Sequence, residues 1–459
     1  MDRITIEEVK KATAGQLIYG KEDDYIDGVC IDSRKIEKGQ LFVPIIGEVN
    51  DAHKFIPQVY EKGCRSFLAS DPAVAEQYPD CNVILVDDTT KGLQMLAKAY
   101  LDELNLKKIT VTGSVGKTST RDMVYAILCE KYRTGTTVGN LNSDFGVPLT
   151  IFSFDHTMEA AVLEIGMDRF GEIHRLVNMI RPEVGLITNV GISHVENLGS
   201  REGILKAKME TVDFFGPEDT LVVNRSNDML STVESEAYQI VGVGLEPEND
   251  YYVHDVIDHG DKGVDYVLTT DETDYHVHLQ IPGAHNALNS AMAIAGCVKL
   301  GVSVEEALRG LAKIKLTGSR LTITEKGGVK VIDDTYNAAP DSMKSAINTL
   351  ISMDGERKIA ILGGMNELGP ESPKYHREVG LYAGEKGVDL VITIGEKAFD
   401  LAEGAKQIMK EEQVMHFKEK EELYAEMKNL FRNGDIILAK ASRTMEFEQI
   451  VEKILNEQE

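Results

Sequence analysis

Short apolar runs separated by polar turns organise the first 88 residues: GQLIYG, QLFVPIIG, RSFLAS and NVILVDD read as strands around one helix-like segment, AHKFIPQVYEKG. That rhythm predicts a small α/β domain over residues 1–88. From residue 89, TKGLQMLAKAYLDEL carries a helical period and leads into KKITVTGSVGKTSTRDMVYAILCEKY, a strand, a turn and a helix. EAAVLEIG, VGLITNVG and DTLVVNR follow as strand candidates among helices, the alternation expected of a parallel, doubly wound sheet. Residues 250–281 alternate with period two around glycine turns, which predicts antiparallel hairpins attached to this second domain, 89–316. After LTGSRLTI the rhythm restarts with GVKVIDDTYNAAP, KIAILGG, VDLVITIGEKAF and GDIILAKASRT, predicting a third, parallel α/β domain over 317–459. No repeat or low-complexity segment interrupts this plan, so both boundaries rest on where the rhythm resets.

Length agrees with the pattern, since 459 residues are about three typical domains. A formal charge of −26, from 49 Lys and Arg against 75 Asp and Glu, excludes a general nucleic-acid binder, whose phosphate contacts need clustered cations. Cys30, Cys64, Cys81, Cys129 and Cys297 are scattered without a CxxC or metal-like spacing, as expected of reduced thiols in a cytosol. The opening MDRITIEEVKKATAG lacks an apolar core, and no apolar run approaches the roughly 20 residues that span a bilayer. A soluble cytoplasmic protein without membrane insertion is the expectation.

The turn VTGSVGKTST, between a strand and a helix, has the make-up of a phosphate cradle. Backbone N–H groups and a helix N-terminus face anionic oxygens, a lysine neutralises phosphate and a hydroxyl reaches Mg²⁺. Gly113, Gly116, Lys117 and Thr118 fit those parts in order, although Val111 stands where the general P-loop pattern has its first glycine. A capping turn with an incidental lysine is the plainer alternative. Position after a strand and before RDMVYAIL favours phosphate.

Four other segments are ambiguous singly. Glu164 closes an apolar strand, where carboxyl ends of parallel strands gather ligands; it is a Mg²⁺ carboxylate or a solvated acid. His194 follows another strand end, and Lys206 and Lys208 sit on the next helix, as ligands or as structural and surface groups. His285 and Asn286 open an alanine-rich helix and could meet a base edge or cap their own helix. Arg320 precedes Asp333, Asp334, Tyr336 and Asn337 at the end of the third domain's first strand, where adjacent acids mark a site or an N-cap.

Taken in order, T-G-S-x-G-K-T, a strand-end Glu, T-N-V-G-x-x-H, A-K-x-E, G-x-H-N with Asn289, and D-D-x-Y-N resemble the Mur ligases, the ATP-dependent amide-forming enzymes of peptidoglycan precursor synthesis. Their loop has no need of the earlier glycine, which removes the Val111 anomaly. The resemblance implies a UDP-sugar-binding first domain, a central P-loop ATPase domain with appended β-hairpins, and a Rossmann-like third domain closing over ATP and binding the incoming dipeptide. It implies that Gly113, Ser114, Gly116, Lys117, Thr118 and Ser119 cradle ATP and that Asn286 reads adenine. Arg320, Asp334, Tyr336 and Asn337 lie near phosphate and ribose on the same reading. Two Mg²⁺ ions are implied, one on Thr118 and Glu164 and a second on His194, with Lys208 carbamylated into a metal ligand. Lys117, Lys208, His194 and Arg320 are thereby the implied catalytic set.

Ser33, Arg34, Gly47, Asp51 and His53 match the segments around the UDP sugar, and Asn140 and Asn142 those around the muramoyl peptide. DSRKIEKGQLFVPIIGE, GNLNSDFGVPLTIF, EIGMDRFGEI and DDTYNAAPDSM imply UDP-N-acetylmuramoyl-tripeptide and D-alanyl-D-alanine as substrates of a monomeric enzyme. Ala339, Gly364, Ala441 and Ala52 depart from the usual Asn, Asp, Gly and Gly, which keeps a different amine donor open. A ligase adding the third amino acid lacks its expected D-N-P-R signature here. A non-catalytic ATP-binding regulator is opposed by the joint presence of Glu164, His194 and Lys208, and a dinucleotide oxidoreductase by a turn that supplies Lys and Thr in place of G-x-G-x-x-G.

Overall fold

A computed structural model describes residues 1–47, 50–318 and 320–457, the last without its side chain. Its strands divide among three large sheets. The first is five-stranded, in the order Gln16–Tyr19, Asn82–Leu85, Ser66–Ala69, Gln40–Phe42, Gly28–Cys30, parallel except at its first pair. Ile4–Thr5 and Tyr25–Ile26 pair separately beside it.

The second sheet has nine strands. Thr134–Thr136, Ala160–Glu164, Lys107–Thr112, Val184–Ile187, Thr220–Asn224 and Gln239–Gly244 lie side by side and parallel. Tyr251–Asp258 joins Gln239–Gly244 in parallel and then pairs antiparallel with Val264–Thr270, which pairs with Thr273–Leu279. The period-two segment therefore continues the central sheet. Lys107–Thr112 runs inside the sheet, with the next two strands on one side and later ones on the other. Its carboxyl end is thus a topological switch point, where open α/β sheets bind ligands.

The third sheet orders as Thr322–Lys326, Val329–Asp333, Asp435–Lys440, Arg357–Gly363, Leu390–Ile394, Val414–Phe417, parallel apart from the first pair. Near-continuous apolar strands such as Leu390–Ile394, buried throughout, fit a parallel sheet covered by helices on both faces.

The helix Thr89–Leu104, N-capped by the Asp88 carboxylate, buries Leu93, Leu96, Ala97 and Leu101. These pack in one apolar cluster with Leu68 and Ile84 of the first sheet and Leu163 and Ile187 of the second. The core thus runs across residue 88 without a gap. The hairpin end of the central sheet in turn meets the third domain: Lys330 donates to Asp261 at 2.5 Å, Lys262 lies 3.6 Å from Asp354, and the turn at Gly260 abuts Ser352 and Met353. Among the described residues no helix is long and apolar enough to cross a membrane.

Candidate active site

The strand Lys107–Thr112 ends in a loop held from below by the neighbouring strand's continuation. Ser114 N–H donates to the Asn189 carbonyl (3.0 Å), Val115 N–H to Asn189 Oδ1 (2.9 Å), and the Thr188 hydroxyl to the Val115 carbonyl (2.6 Å). This approach is so close that a Cβ on Gly113, whose φ is +153°, would lie 1.9 Å from Thr188 Oγ1. Gly116, at φ +82°, caps the helix Lys117–Leu128 with no side chain in the way. Backbone N–H groups at that helix start are left to a ligand. Lys117 Nζ bonds back to the Gly113 carbonyl at 2.9 Å. Desolvation pulls its ammonium below the ordinary lysine range, against the pull of Glu164.

One residue on, the Thr118 hydroxyl donates to Glu164 Oε2 at 2.7 Å, and Asn142 Nδ2 donates to Oε1 at 2.8 Å. Glu164 is buried at the end of its strand, so its charge is committed to the phosphate loop. His194, in the left-handed region at φ +64°, begins the short helix Val195–Leu198. Its Nδ1 lies 3.0 Å from Asp168 Oδ1 and 2.5 Å from Glu367 Oε2, the latter from the third domain. Neither approach has the direction of a hydrogen bond, and Nδ1 is buried without one. Burial disfavours the imidazolium, but the two carboxylates outweigh it and raise the His194 pKa. One atom each of Asp168, His194 and Glu367 fall within 4.8 Å of one another, a metal-sized cluster.

Lys208 is buried on the helix Arg201–Met209, and among the described residues its ammonium has no hydrogen bond or ion pair. Desolvation, with Lys117 nearby, holds its pKa well below the ordinary value, because burial penalises the charged ammonium. On the third domain, Lys440 ends the strand Asp435–Lys440, is buried, and donates to Asp334 Oδ2 (2.5 Å) and the Asn337 carbonyl (2.9 Å). Arg320 stacks over the Tyr336 ring at 4.3 Å.

A cavity of about 650 Å³ lies between the second and third sheets, and Ser114, Gly116, Lys117, Ser119, Asn140, Asn142, Glu164, His194, Arg320, Asp334, Tyr336 and Asn337 all line it. Gly113 and Thr118 support that wall from behind. Asn286 stands off it: its Nδ2 donates to the Pro282 carbonyl (2.8 Å) and its Oδ1 accepts from Asn289 (3.1 Å), while His285 lines the cavity. Lys208 also lies outside the wall. Ser33, Arg34, Gly47, Asp51 and His53 sit apart on the loops of the first sheet. There Arg34 grips Asp32 at 2.8 Å, and His53 lies between Asp51 (2.6 Å) and the Ser70 N–H (3.0 Å). Asp168, Glu367 and Lys440 are cavity residues that sequence reasoning missed. A lysine closing the apolar run GDIILAK was a usable signal for the last, whereas the two acids sit in loops without pattern.

A lysine-bearing phosphate loop at a sheet switch point, backed by a buried hydroxyl–carboxylate pair and faced by cations from a further α/β domain, defines a nucleotide-dependent phosphoryl-transfer enzyme of the P-loop type. Three family descriptions match the chain in succession: "Mur ligase family, catalytic domain" over residues 25–101, "Mur ligase middle domain" over 111–297, and "Mur ligase, glutamate ligase domain" over 319–443. The chain belongs to the Mur ligase family. It is 39% identical to the UDP-N-acetylmuramoyl-tripeptide--D-alanyl-D-alanine ligase of Bacillus subtilis (strain 168), over 98% of this chain and 97% of that one. It is 31% identical to the enzyme of the same name from Escherichia coli (strain K12), over 98% of each. Among solved structures it superposes on MurF from Acinetobacter baumannii with a TM-score of 0.92 at 29% identity, covering 99% of both chains. MurF ligase from Thermotoga maritima in complex with ADP gives 0.84 at 27% identity, over 94% of this chain and 97% of that one.

Proposed function

We propose that this chain is an ATP-dependent ligase that adds D-alanyl-D-alanine to UDP-N-acetylmuramoyl-tripeptide in cytoplasmic peptidoglycan precursor synthesis, working as a monomer. The observation that carries the reading is the convergence of Lys117, Glu164 and His194 with Arg320 of the third domain on one cavity, in a chain similar along its whole length to enzymes of that name. A carboxylate is a poor acyl donor, so the tripeptide's terminal carboxylate takes the γ-phosphoryl group of ATP and becomes an acyl phosphate. The free amine of the dipeptide attacks that carbonyl, and the tetrahedral intermediate collapses to the amide with loss of phosphate, leaving ADP. Phosphoryl transfer of this kind needs alignment and charge neutralisation more than covalent help. Lys117 and Arg320 supply the charge from opposite walls, and the N–H groups of Gly116 and its neighbours orient the phosphates.

The residues present fit magnesium: a hydroxyl–carboxylate pair at Thr118 and Glu164 offers hard oxygen donors, and His194 Nδ1 is buried with no hydrogen bond. Thr118 and Glu164 would hold one ion and His194 a second, with Lys208 as its carbamate completing the donors. Bound there, Mg²⁺ supplies positive charge to the transferring phosphoryl group. A buried amine without a partner suits such a carbamate, because CO₂ reacts with the neutral amine, the form desolvation favours over the ammonium, and the anion formed would have Mg²⁺ as its partner. Ser33, Arg34, Gly47, Asp51 and His53 would bind the UDP sugar, Asn140 and Asn142 the muramoyl peptide, and Asp334, Tyr336 and Asn337 the phosphate and ribose, while Asn286 would read adenine on releasing the Pro282 carbonyl.

The test is mass detection of UDP-N-acetylmuramoyl-pentapeptide formed with stoichiometric ADP. Product with another amine but none with D-alanyl-D-alanine would overturn the donor and leave the ligase standing. ATP turnover with no amide product would overturn both.

A further inference from the structure

The helix that begins with Lys117 and Thr118 carries, one turn later, an ion pair that the chemistry above does not use. Arg121 is 1% exposed, and its partner Asp122 6%. The guanidinium gives Nε and Nη2 to Asp122 Oδ1 at 3.0 and 2.6 Å, Nη1 to the Thr137 carbonyl at 2.6 Å, and Nη2 to the Thr317 hydroxyl at 2.6 Å. Thr317 returns both of its donors to Asp122 Oδ2, the backbone N–H at 2.8 Å and the hydroxyl at 2.9 Å. The hydroxyl therefore accepts from Arg121 and donates to Asp122, closing a three-residue ring.

Each partner leads directly to the cavity. Thr317 stands at the root of the connection between the second and third domains. Gly318 turns there at φ +79°, Arg320 N–H bonds the Gly318 carbonyl at 2.9 Å, and the Arg320 side chain enters the cavity wall. Thr137 accepts the Glu164 N–H on its hydroxyl at 3.0 Å and precedes Asn140 and Asn142 of the wall. Arg121 Nη1 itself lies 3.8 Å from Glu164 Oε2.

We infer that Arg121, Asp122 and Thr317 are positioning residues that fix Arg320 relative to the phosphate loop, so that the cation from the third domain and Lys117 meet the same phosphoryl group. This rests on the ligase reading. Burying an ion pair is a weak way to gain stability, since apolar side chains of equal volume commonly do as well; what directional bonds add is a unique geometry. Here that geometry is spent on Thr317, three positions before Arg320 in the chain. A slip of about 1 Å in a positioned group costs on the order of a hundredfold in rate.

Removing Arg121 or Asp122 alone strands a buried charge and risks unfolding, so the test uses Thr317. Thr317→Val keeps the volume and the backbone N–H to Asp122 but opens the ring, and Thr317→Ser closes it again. Steady-state ADP release at saturating tripeptide and dipeptide, ADP affinity and thermal melting are measured for both, and for each combined with Arg320→Ala. The expected result is a kcat about tenfold lower or worse in Thr317→Val, with ADP affinity within about threefold of the parent and recovery to within about threefold in Thr317→Ser. In the Arg320→Ala background Thr317→Val should cost nothing further, because it acts through the residue already removed. A parental kcat in Thr317→Val, losses that multiply with Arg320→Ala, or an Arg320→Ala enzyme of parental kcat would each overturn the inference alone. A parent protein that releases no ADP would overturn the ligase reading with it.

Discussion

Substituting Gly113 by alanine tests whether the phosphate loop depends on its approach to Thr188. The added Cβ would lie 1.9 Å from Thr188 Oγ1 and 3.1 Å from Thr188 Cβ, where real Cβ contacts do not fall below 3.0 Å. Thr188 has little freedom to yield, being buried and bonded to the Val115 carbonyl at 2.6 Å. Relief therefore takes about 1 Å of loop displacement, which for positioned catalytic groups costs on the order of a hundredfold, or about 2.7 kcal/mol of transition-state stabilisation. A φ of +153° adds backbone strain of about 1–3 kcal/mol for any side chain. The expected outcome is a kcat/KM for ATP reduced about a hundredfold or more, read by coupled ADP release, with a lowered melting temperature. Adding Thr188→Ala removes the nearest atom while Asn189 Nδ2 still reaches the Val115 carbonyl at 3.2 Å, so part of the loss should return. A Gly113→Ala enzyme within threefold of the parent, or a pair with no recovery, would refute the steric account.

Lys208→Ala should lower turnover by at least about a hundredfold, and short carboxylic acids added to the assay should restore part of it by replacing the carbamate; undiminished activity would remove Lys208 from the chemistry. Burial holds His376 below the ordinary imidazole range, while its Nε2 accepts the Met365 N–H at 2.9 Å. The unfolded chain, with a histidine pKa near about 6.5, binds the proton first, so this contribution is complete above about pH 6.5 and is lost as pH falls through the lower folded value. Melts across that range should show the decline in the parent and a flatter slope in His376→Gln; equal slopes would reject the assignment. Asp435 is buried and accepts Arg357 Nε at 2.9 Å, Arg357 Nη2 at 2.6 Å and the Arg432 N–H at 2.9 Å. Asp435→Ala should therefore cost about 3 kcal/mol in urea denaturation, and a loss under about 1 kcal/mol would show the pair to be dispensable.

Long apolar runs are legible in the amino-acid pattern itself: VGLITNVG, KIAILGG and VDLVITIG are buried strands at the expected places. Thr134–Thr136 has no such signature, because it is three residues long and centred on Gly135, which packs against Phe154. Gln239–Gly244 is obscured for a related reason. Its two glycines read as turn residues, yet they are needed where Arg225 and Asn249 press on the strand. The hairpins are attached to the second domain as expected; what the period-two alternation does not encode is that they join its sheet edge-on, through the parallel pairing of Val243 with Tyr251. At the site, residues within recurring strings are legible, including Lys117, Glu164 and His194. Asp168, Glu367 and Arg121 are not, since each is defined by a partner far along the chain: His194 for the two acids, Thr137 and Thr317 for the arginine.

The continuation of the central sheet into its hairpins gives the third domain a second handhold, where Lys330 meets Asp261 and Lys262 approaches Asp354. These charges are partly or largely open to solvent, unlike the sealed Arg121–Asp122 pair. Dissolved ions screen exposed charges over about 8 Å at physiological strength and over about 3 Å at 1 M. Ionic strength should thus act on the outer handhold and hardly on the inner hub, making background salt a dial on how firmly the two domains are held while the cavity's own geometry stays as it is.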